Sequence, residues 1–254
     1  MTNLTDNRRF AGVSKLYGAQ RAQTLREAHV CVVGLGGVGS WSAEALARSQ
    51  IGKITLIDLD MVAESNTNRQ LHALSHTYGM AKVEVMRQRI LEINPDCKVN
   101  CIEDFVTPEN CEQIFSADFD LVIDAIDQVR PKIAMIVTCR RKNIPLVVAG
   151  GAGGKTDPTQ IKVCDLTQTH QDPLLAKIRS QLRRDHGFTR DSKKKFGIQA
   201  VFSSEPIKIT PTSDTCNTSR PASGLNCAGY GSAVCVTAVF GMVAAAEAIR
   251  LLTK

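Results

Sequence analysis

Short apolar runs alternate with stretches of helical spacing through the middle of this chain. Runs rich in β-branched residues fall at 30–33, 53–57, 99–102, 121–123, 146–148 and 161–163. Between them, 38–49, 81–93 and 131–142 carry apolar residues three and four apart, the period of a helix with one buried face. Strands that are apolar on both faces and separated by helices predict an α/β fold of Rossmann-like type. Its sheet is expected to be doubly wound, mostly parallel and covered on both sides. Residues 14–27 read as an amphipathic helix leading into the first strand. Downstream, 172–184 predicts a helix, 201–209 a strand and 232–252 a long C-terminal helix, with a loop rich in Ser, Thr and Pro over 203–223. No internal repeat or low-complexity linker divides the chain, so residues 1–254 are expected to form one domain.

Composition narrows the class. With 43% hydrophobic and 22% charged residues, the chain is neither disordered, collagenous nor a polytopic membrane protein. The net charge of +6 is local. Lys177, Arg179, Arg183, Arg184, Arg190, Lys193, Lys194 and Lys195 face only Asp185 and Asp191 within their segment, and the rest of the chain is balanced. A neutral body with one basic segment suits a polyanionic partner, with Arg179, Arg183, Arg184, Lys193, Lys194 and Lys195 as candidate phosphate contacts. Charge alone fits a solvated helix face equally well. The nine cysteines form no C-x-x-C pair, and residues 1–9 have no apolar core of a signal peptide. Reduced thiols in the cytoplasm and no zinc site are therefore expected. Residues 228–246 carry no charge and keep peripheral membrane association open as an alternative, although the small residues there suit a buried helix better.

The strongest local pattern is Gly34-Leu35-Gly36-Gly37-Val38-Gly39, directly after the first strand and opening a helix. Glycines there permit a tight turn and bring backbone N–H groups up to a phosphate at the positive end of a helix. Asp58 closes the second strand, where a carboxylate accepts a ribose hydroxyl. These two features fit a dinucleotide enzyme as well as any other nucleotide binder. The next segments are less like a dehydrogenase: Asp60, Asn66, Arg69 and Gln70, then Lys82, then Asp124, Asp127 and Gln128. Two cations and late carboxylates around one nucleotide suit ATP and magnesium, because triphosphate charge needs neutralising. Taken singly, Arg69 and Lys82 also fit exposed side chains, and Asp127 a helix cap.

In order and spacing, the glycine turn, D-x-D, N-x-x-R-Q, G-x-x-K and D-x-x-D-Q resemble the ThiF/MoeB-like activating enzymes, relatives of the ubiquitin-activating fold, across nearly the whole chain. The resemblance implies a homodimer that binds ATP and magnesium through Gly34, Gly36, Gly37, Gly39, Asp58, Asp60, Asn66, Arg69, Gln70, Lys82, Asp127 and Gln128. Arg69, Lys82 and Asp127 would be catalytic, with Asp127 next to the metal. Lys15-Leu16-Tyr17-Gly18, Gly150-Gly151-Ala152-Gly153-Gly154, Asp157-Pro158-Thr159-Gln160, Gln171-Asp172-Pro173-Leu174 and Val201-Phe202-Ser203-Ser204-Glu205 resemble the branch that uses ATP to dehydrate threonylcarbamoyladenosine in tRNA. In the sulfur-carrier activators, the N-terminal arm ends in an arginine where this chain has Gly12, which leaves Arg9 or Lys15 as a substitute. Loop 151–154 could hold a monovalent cation or be a tight turn. Cys216 and Cys227 stand where a relay thiol could sit and are expected to be structural or incidental. Two further readings stand beside the dehydratase: an adenylyltransferase for a ubiquitin-like sulfur carrier, and a non-catalytic partner of a cysteine desulfurase in a sulfur relay.

Overall fold

The computed structural model describes residues 8–191, 193–208 and 231–254. Its centre is a sheet of β1 (His29–Val33), β2 (Lys53–Ile57), β3 (Lys98–Ile102), β4 (Leu121–Asp124), β5 (Leu146–Ala149), β6 (Ile161–Asp165) and β7 (Gln199–Ser203). The strand order is β3-β2-β1-β4-β5-β7-β6, parallel throughout except that β6 runs antiparallel to β7. The helices are α1 (Ala11–Tyr17), α2 (Ala19–Glu27), α3 (Gly39–Arg48), α4 (Lys82–Ile93), α5 (Cys111–Ile114), α6 (Val129–Arg141), α7 (Pro173–Asp185) and α8 (Val234–Leu252).

The two-residue period of the strands divides the core. In β1, Val30 and Val32 point to one side with Ile54, Leu56, Leu121, Ile123 and Val147. That layer is closed by Leu46 of α3, Met86 of α4 and Phe240 of α8. Cys31 and Val33 point to the other side, with Val122, Val148 and Phe202 under Ile136 of α6 and Ile178 of α7. Successive strand residues face opposite sides, so both faces must be covered and the strands read as unbroken apolar runs.

Three expectations change. The helix expected over 14–27 is two helices, because Gly18 takes φ +81 between α1 and α2. The last strand lies at Gln199–Ser203 rather than 201–209, since Glu205 leaves the sheet and its carboxylate accepts the N–H groups of Thr156 and Asp157. Arg9 is spent on the far end of α4, where Nη1 donates to the carbonyls of Glu92 (2.8 Å) and Ile93 (3.1 Å). That end is roughly 16 Å along the helix from Lys82.

α8 is long and apolar enough to cross a bilayer, but half of that window is buried within the fold. A Cβ on Gly241 would sit 2.4 Å from the Val38 carbonyl oxygen and 2.7 Å from Trp41 Cβ, so the glycine lets α8 lie directly on α3.

Candidate nucleotide-activating site

The strand order reverses between β1 and β4, and a cleft of about 440 Å³ opens outside the carboxyl ends of those strands. Gly34, Gly36 and Gly37 form one wall, and Ala125, Ile126, Asp127 and Gln128 of the β4–α6 loop form another. Gly34, at φ +85, could not carry a side chain, because a Cβ would meet Ile126 Cγ2 at 2.8 Å. Gly39 does not line the cleft. A Cβ there would fall 1.7 Å from the Gly34 carbonyl oxygen, so this glycine lets α3 start against the turn.

Asp58 is the hinge of the site. Its Oδ2 accepts the Leu35 N–H at 2.6 Å and its Oδ1 the Asp60 N–H at 2.9 Å, tying the end of β2 to the glycine turn. Burial raises its pKa, against the opposing pull of Lys82 and these two N–H groups. Lys82 opens α4, is almost wholly buried, and places Nζ 2.7 Å from Asp60 Oδ2 and 3.9 Å from Asp58 Oδ1. It therefore meets any phosphate as one member of an ion pair rather than as a free cation.

The 64–70 turn carries the second cation. Asn66 Oδ1 accepts the Ala63 N–H, and Arg69 Nη1 donates to the Ser65 carbonyl (2.8 Å) and to Asn68 Oδ1 (2.9 Å). The Arg69 backbone is held from two directions, since its carbonyl accepts Trp41 Nε1–H at 3.0 Å and the Thr237 hydroxyl at 3.5 Å. Gln70 lines the cleft with a buried Oε1 that has no hydrogen-bond partner, and an unmatched acceptor at such a wall suits a bound donor.

Asp127 and Gln128 reach the cleft as expected, but Asp124 does not. It is fully buried beneath the loop and paired with Lys132, since desolvating a carboxylate demands a partner. Neither Arg9 nor Lys15 lines the cleft. In the 151–154 loop, Gly151 donates its N–H to Asp172 Oδ2 at 2.9 Å, while the Gly154 carbonyl accepts the Lys208 N–H at 2.8 Å. Cys216 and Cys227 lie outside the described residues. Among the described residues, no group of three or more His, Cys, Asp or Glu side chains is placed to hold a metal ion.

Several lining residues were missed: Met61, Asp104, Phe105 and Val106, with Ser232 and Thr237 before and within α8. The first four follow β2 and β3, and the rule that ligands sit outside strand carboxyl ends would have found them. Nothing in the sequence points to Ser232 and Thr237, which arrive only because α8 packs back over α3.

The ThiF family pattern matches residues 8–254. This chain belongs to the ThiF family. It is 54% identical over 248 residues to the tRNA threonylcarbamoyladenosine dehydratase of Escherichia coli (strain K12), covering 95% of this chain and 92% of that one. To the enzyme of the same name from Haemophilus influenzae it is 50% identical over 247 residues, with 97% and 94% covered. The crystal structure of the E. coli dehydratase in complex with ATP superposes with a TM-score of 0.87 at 51% identity, covering 96% of this chain and 93% of that one.

Proposed function

We propose that this chain is an ATP-dependent tRNA dehydratase that closes N6-threonylcarbamoyladenosine at position 37 into its cyclic form, with loss of one water. The observation that carries this is the cleft described above, in a chain so similar along its length to dehydratases of that name. The glycine-turn N–H groups, Arg69 and Lys82 surround the space where triphosphate charge would lie, and Asp58 stands at the end of β2 as the ribose acceptor.

The chemistry follows from the substrate. A free carboxylate resists attack because oxide is a poor leaving group. Transfer of a phosphoryl or adenylyl group from ATP to one carboxylate oxygen turns it into a good one. The threonine's own urea group then attacks the carboxyl carbon, the C–O bond to the activated oxygen breaks, and that oxygen leaves on phosphorus. Attack within one molecule gains from proximity, so few protein groups are needed as nucleophile or base. Arg69 and Lys82 offset charge that builds on the phosphates. Asp127, which lines the cleft, would hold magnesium, and the ion would supply charge neutralisation beside the phosphates.

The basic segment 177–195 is proposed to hold tRNA phosphates, and the exposed apolar side of α8, with Val234 and Met242, supports a homodimer. Cytoplasmic residence suits the seven described cysteines, all free thiols. A sulfur-carrier or desulfurase-relay role is not favoured, since the relatives that match along nearly the whole chain are dehydratases by name.

The test is incubation with ATP, magnesium and tRNA carrying threonylcarbamoyladenosine, followed by nucleoside mass analysis. The expected result is a mass lower by one water, only when ATP is present. An unchanged nucleoside beside intact ATP overturns the reading.

A further inference from the structure

The basic segment is not one uniform surface. Lys193, Lys194 and Lys195 are exposed side chains on a turn. Arg179, Arg183, Arg184 and Arg190, by contrast, converge on a hollow of about 340 Å³ whose remaining lining is Ala176 and Ser180. These two small residues lie one helical turn apart on α7, beside Arg179 and Arg183, and leave room between the guanidinium groups.

Three of these four arginines are held rather than loose. Arg179 bonds to the Thr169 hydroxyl. Arg183 donates from Nε to the Thr189 carbonyl at 3.3 Å and lies over the Phe196 ring, 5.4 Å from its centroid. Phe196 stacks edge-on against Phe188 at 4.8 Å, and Arg140 of α6 lies over Phe188 at 4.2 Å. Stacking of this kind orients a planar guanidinium while leaving its N–H edge open. Arg190 has no hydrogen-bond or ion-pair partner among the described residues. Asp185, the acidic residue at the end of α7, is taken by Arg184 through two bonds of 2.7 and 2.9 Å.

Like charges gathered in a concavity repel one another. Burial, and next the neighbouring Arg183 charge, hold the Arg179 pKa below its ordinary value. An anion between these groups would relieve that repulsion and meet fixed donors at several angles. The hollow also points along a useful line. Asp172 caps the start of α7 and holds Gly151 at the cleft, so α7 runs outward from the cleft, with Arg179 roughly 10 Å and Arg183 roughly 16 Å along it.

We infer that the α7 hollow, formed by Arg179, Arg183 and Arg190, is a phosphate subsite for the RNA backbone a few nucleotides from the base in the cleft. Arg140 sits in the stacked row behind it, and Arg184 contributes less because Asp185 neutralises it. The assignment rests on the tRNA reading above and adds to it which phosphates are gripped and by which side chains. Guanidinium forks match phosphate oxygens two at a time, so this subsite fixes register along the strand, whereas the exposed lysines attract without aligning.

The experiment is binding of a labelled, unmodified anticodon-arm RNA by anisotropy between 50 and 200 mM salt, with Arg183→Gln, Arg190→Gln, the double variant and, as an exposed control at the opposite edge of the sheet, Lys98→Gln. Each arginine variant should weaken binding about 3- to 10-fold, and the double variant about 30-fold. Each lost charge should lower the log–log salt slope by about 0.7. Arg190 makes no described contact, so its variant should melt at the wild-type temperature and keeps the test independent of folding. A double variant with wild-type affinity and slope, or an equal loss in Lys98→Gln, overturns the assignment. Displacement of the RNA by micromolar inorganic phosphate would make the free anion the occupant and also overturn it. Wild-type protein that dehydrates the nucleoside, beside arginine variants of unchanged RNA affinity, removes the arginine subsite alone and leaves the dehydratase reading standing.

Discussion

Lys132 Nζ lies 2.7 Å from Asp124 Oδ1, and neither side chain has any exposure to solvent. The ammonium also donates to the Ile126 carbonyl at 2.8 Å and the Asp124 carbonyl at 3.3 Å, while Asp124 Oδ1 accepts the Ile126 N–H at 3.2 Å. One buried cation thus draws the backbone after β4 into the curve that presents Asp127 and Gln128 to the cleft. Lys132→Met should leave Asp124 buried and unmatched, at a cost of about 3–5 kcal/mol in chemical unfolding. Pairing it with Asp124→Leu should recover most of that stability but not turnover, because the loop still lacks its clamp. Full activity in the double variant would reduce the pair to a structural filler.

Lys82→Ala and Asp127→Ala test the cleft itself. Both should fold, since Lys82 meets Asp60 at a half-exposed carboxylate and Asp127 is only partly buried. Turnover with saturating ATP should fall by about two to three orders of magnitude, the usual cost of losing one charge-stabilising group. Wild-type rates in both variants would remove these residues from the chemistry.

His72 makes stability depend on pH. It is buried, neither ring nitrogen has a partner, and burial together with the nearby Lys82 charge lowers its pKa to about 4. The unfolded chain, with a value near 6.5, binds more protons between these limits, so folding is favoured above about pH 6.5 and weakens as pH falls toward 4. The full contribution is about 3 kcal/mol. His72→Leu should flatten that part of the profile in urea titrations at pH 7.5 and 5. Equal slopes for the two proteins would mean that the imidazole binds its proton in the fold as readily as in the unfolded chain.

The sheet was legible because its strands are apolar on both faces, as Val30 to Val33 show, and because helices of matching period separate them. The glycine turn and Asp58 were legible for a different reason, since their spacing answers to a turn and a strand end. Pairing was not. Asp124 looked like a second cleft carboxylate, and only the burial of Lys132 eight residues on explains why it faces inward. Gly18 was read through as helix because one glycine within a periodic segment is tolerated, and its positive φ cannot be read from spacing. Lys82 was legible as a cation beside the nucleotide, but its partnership with Asp60 depends on how α4 begins against the end of β2.

Thr237 meets the Arg69 carbonyl across 168 residues of chain, and Asn68 Nδ2 donates to the Ser232 carbonyl across 164. During synthesis the glycine turn and the arginine turn leave the ribosome long before the segment that covers them. A partly made chain therefore carries the phosphate-binding turn with its roof missing, and nucleotide capture must wait for α8 to dock. Because the same helix closes one face of the sheet through Phe240, completing the core and arming the cleft depend on one docking step.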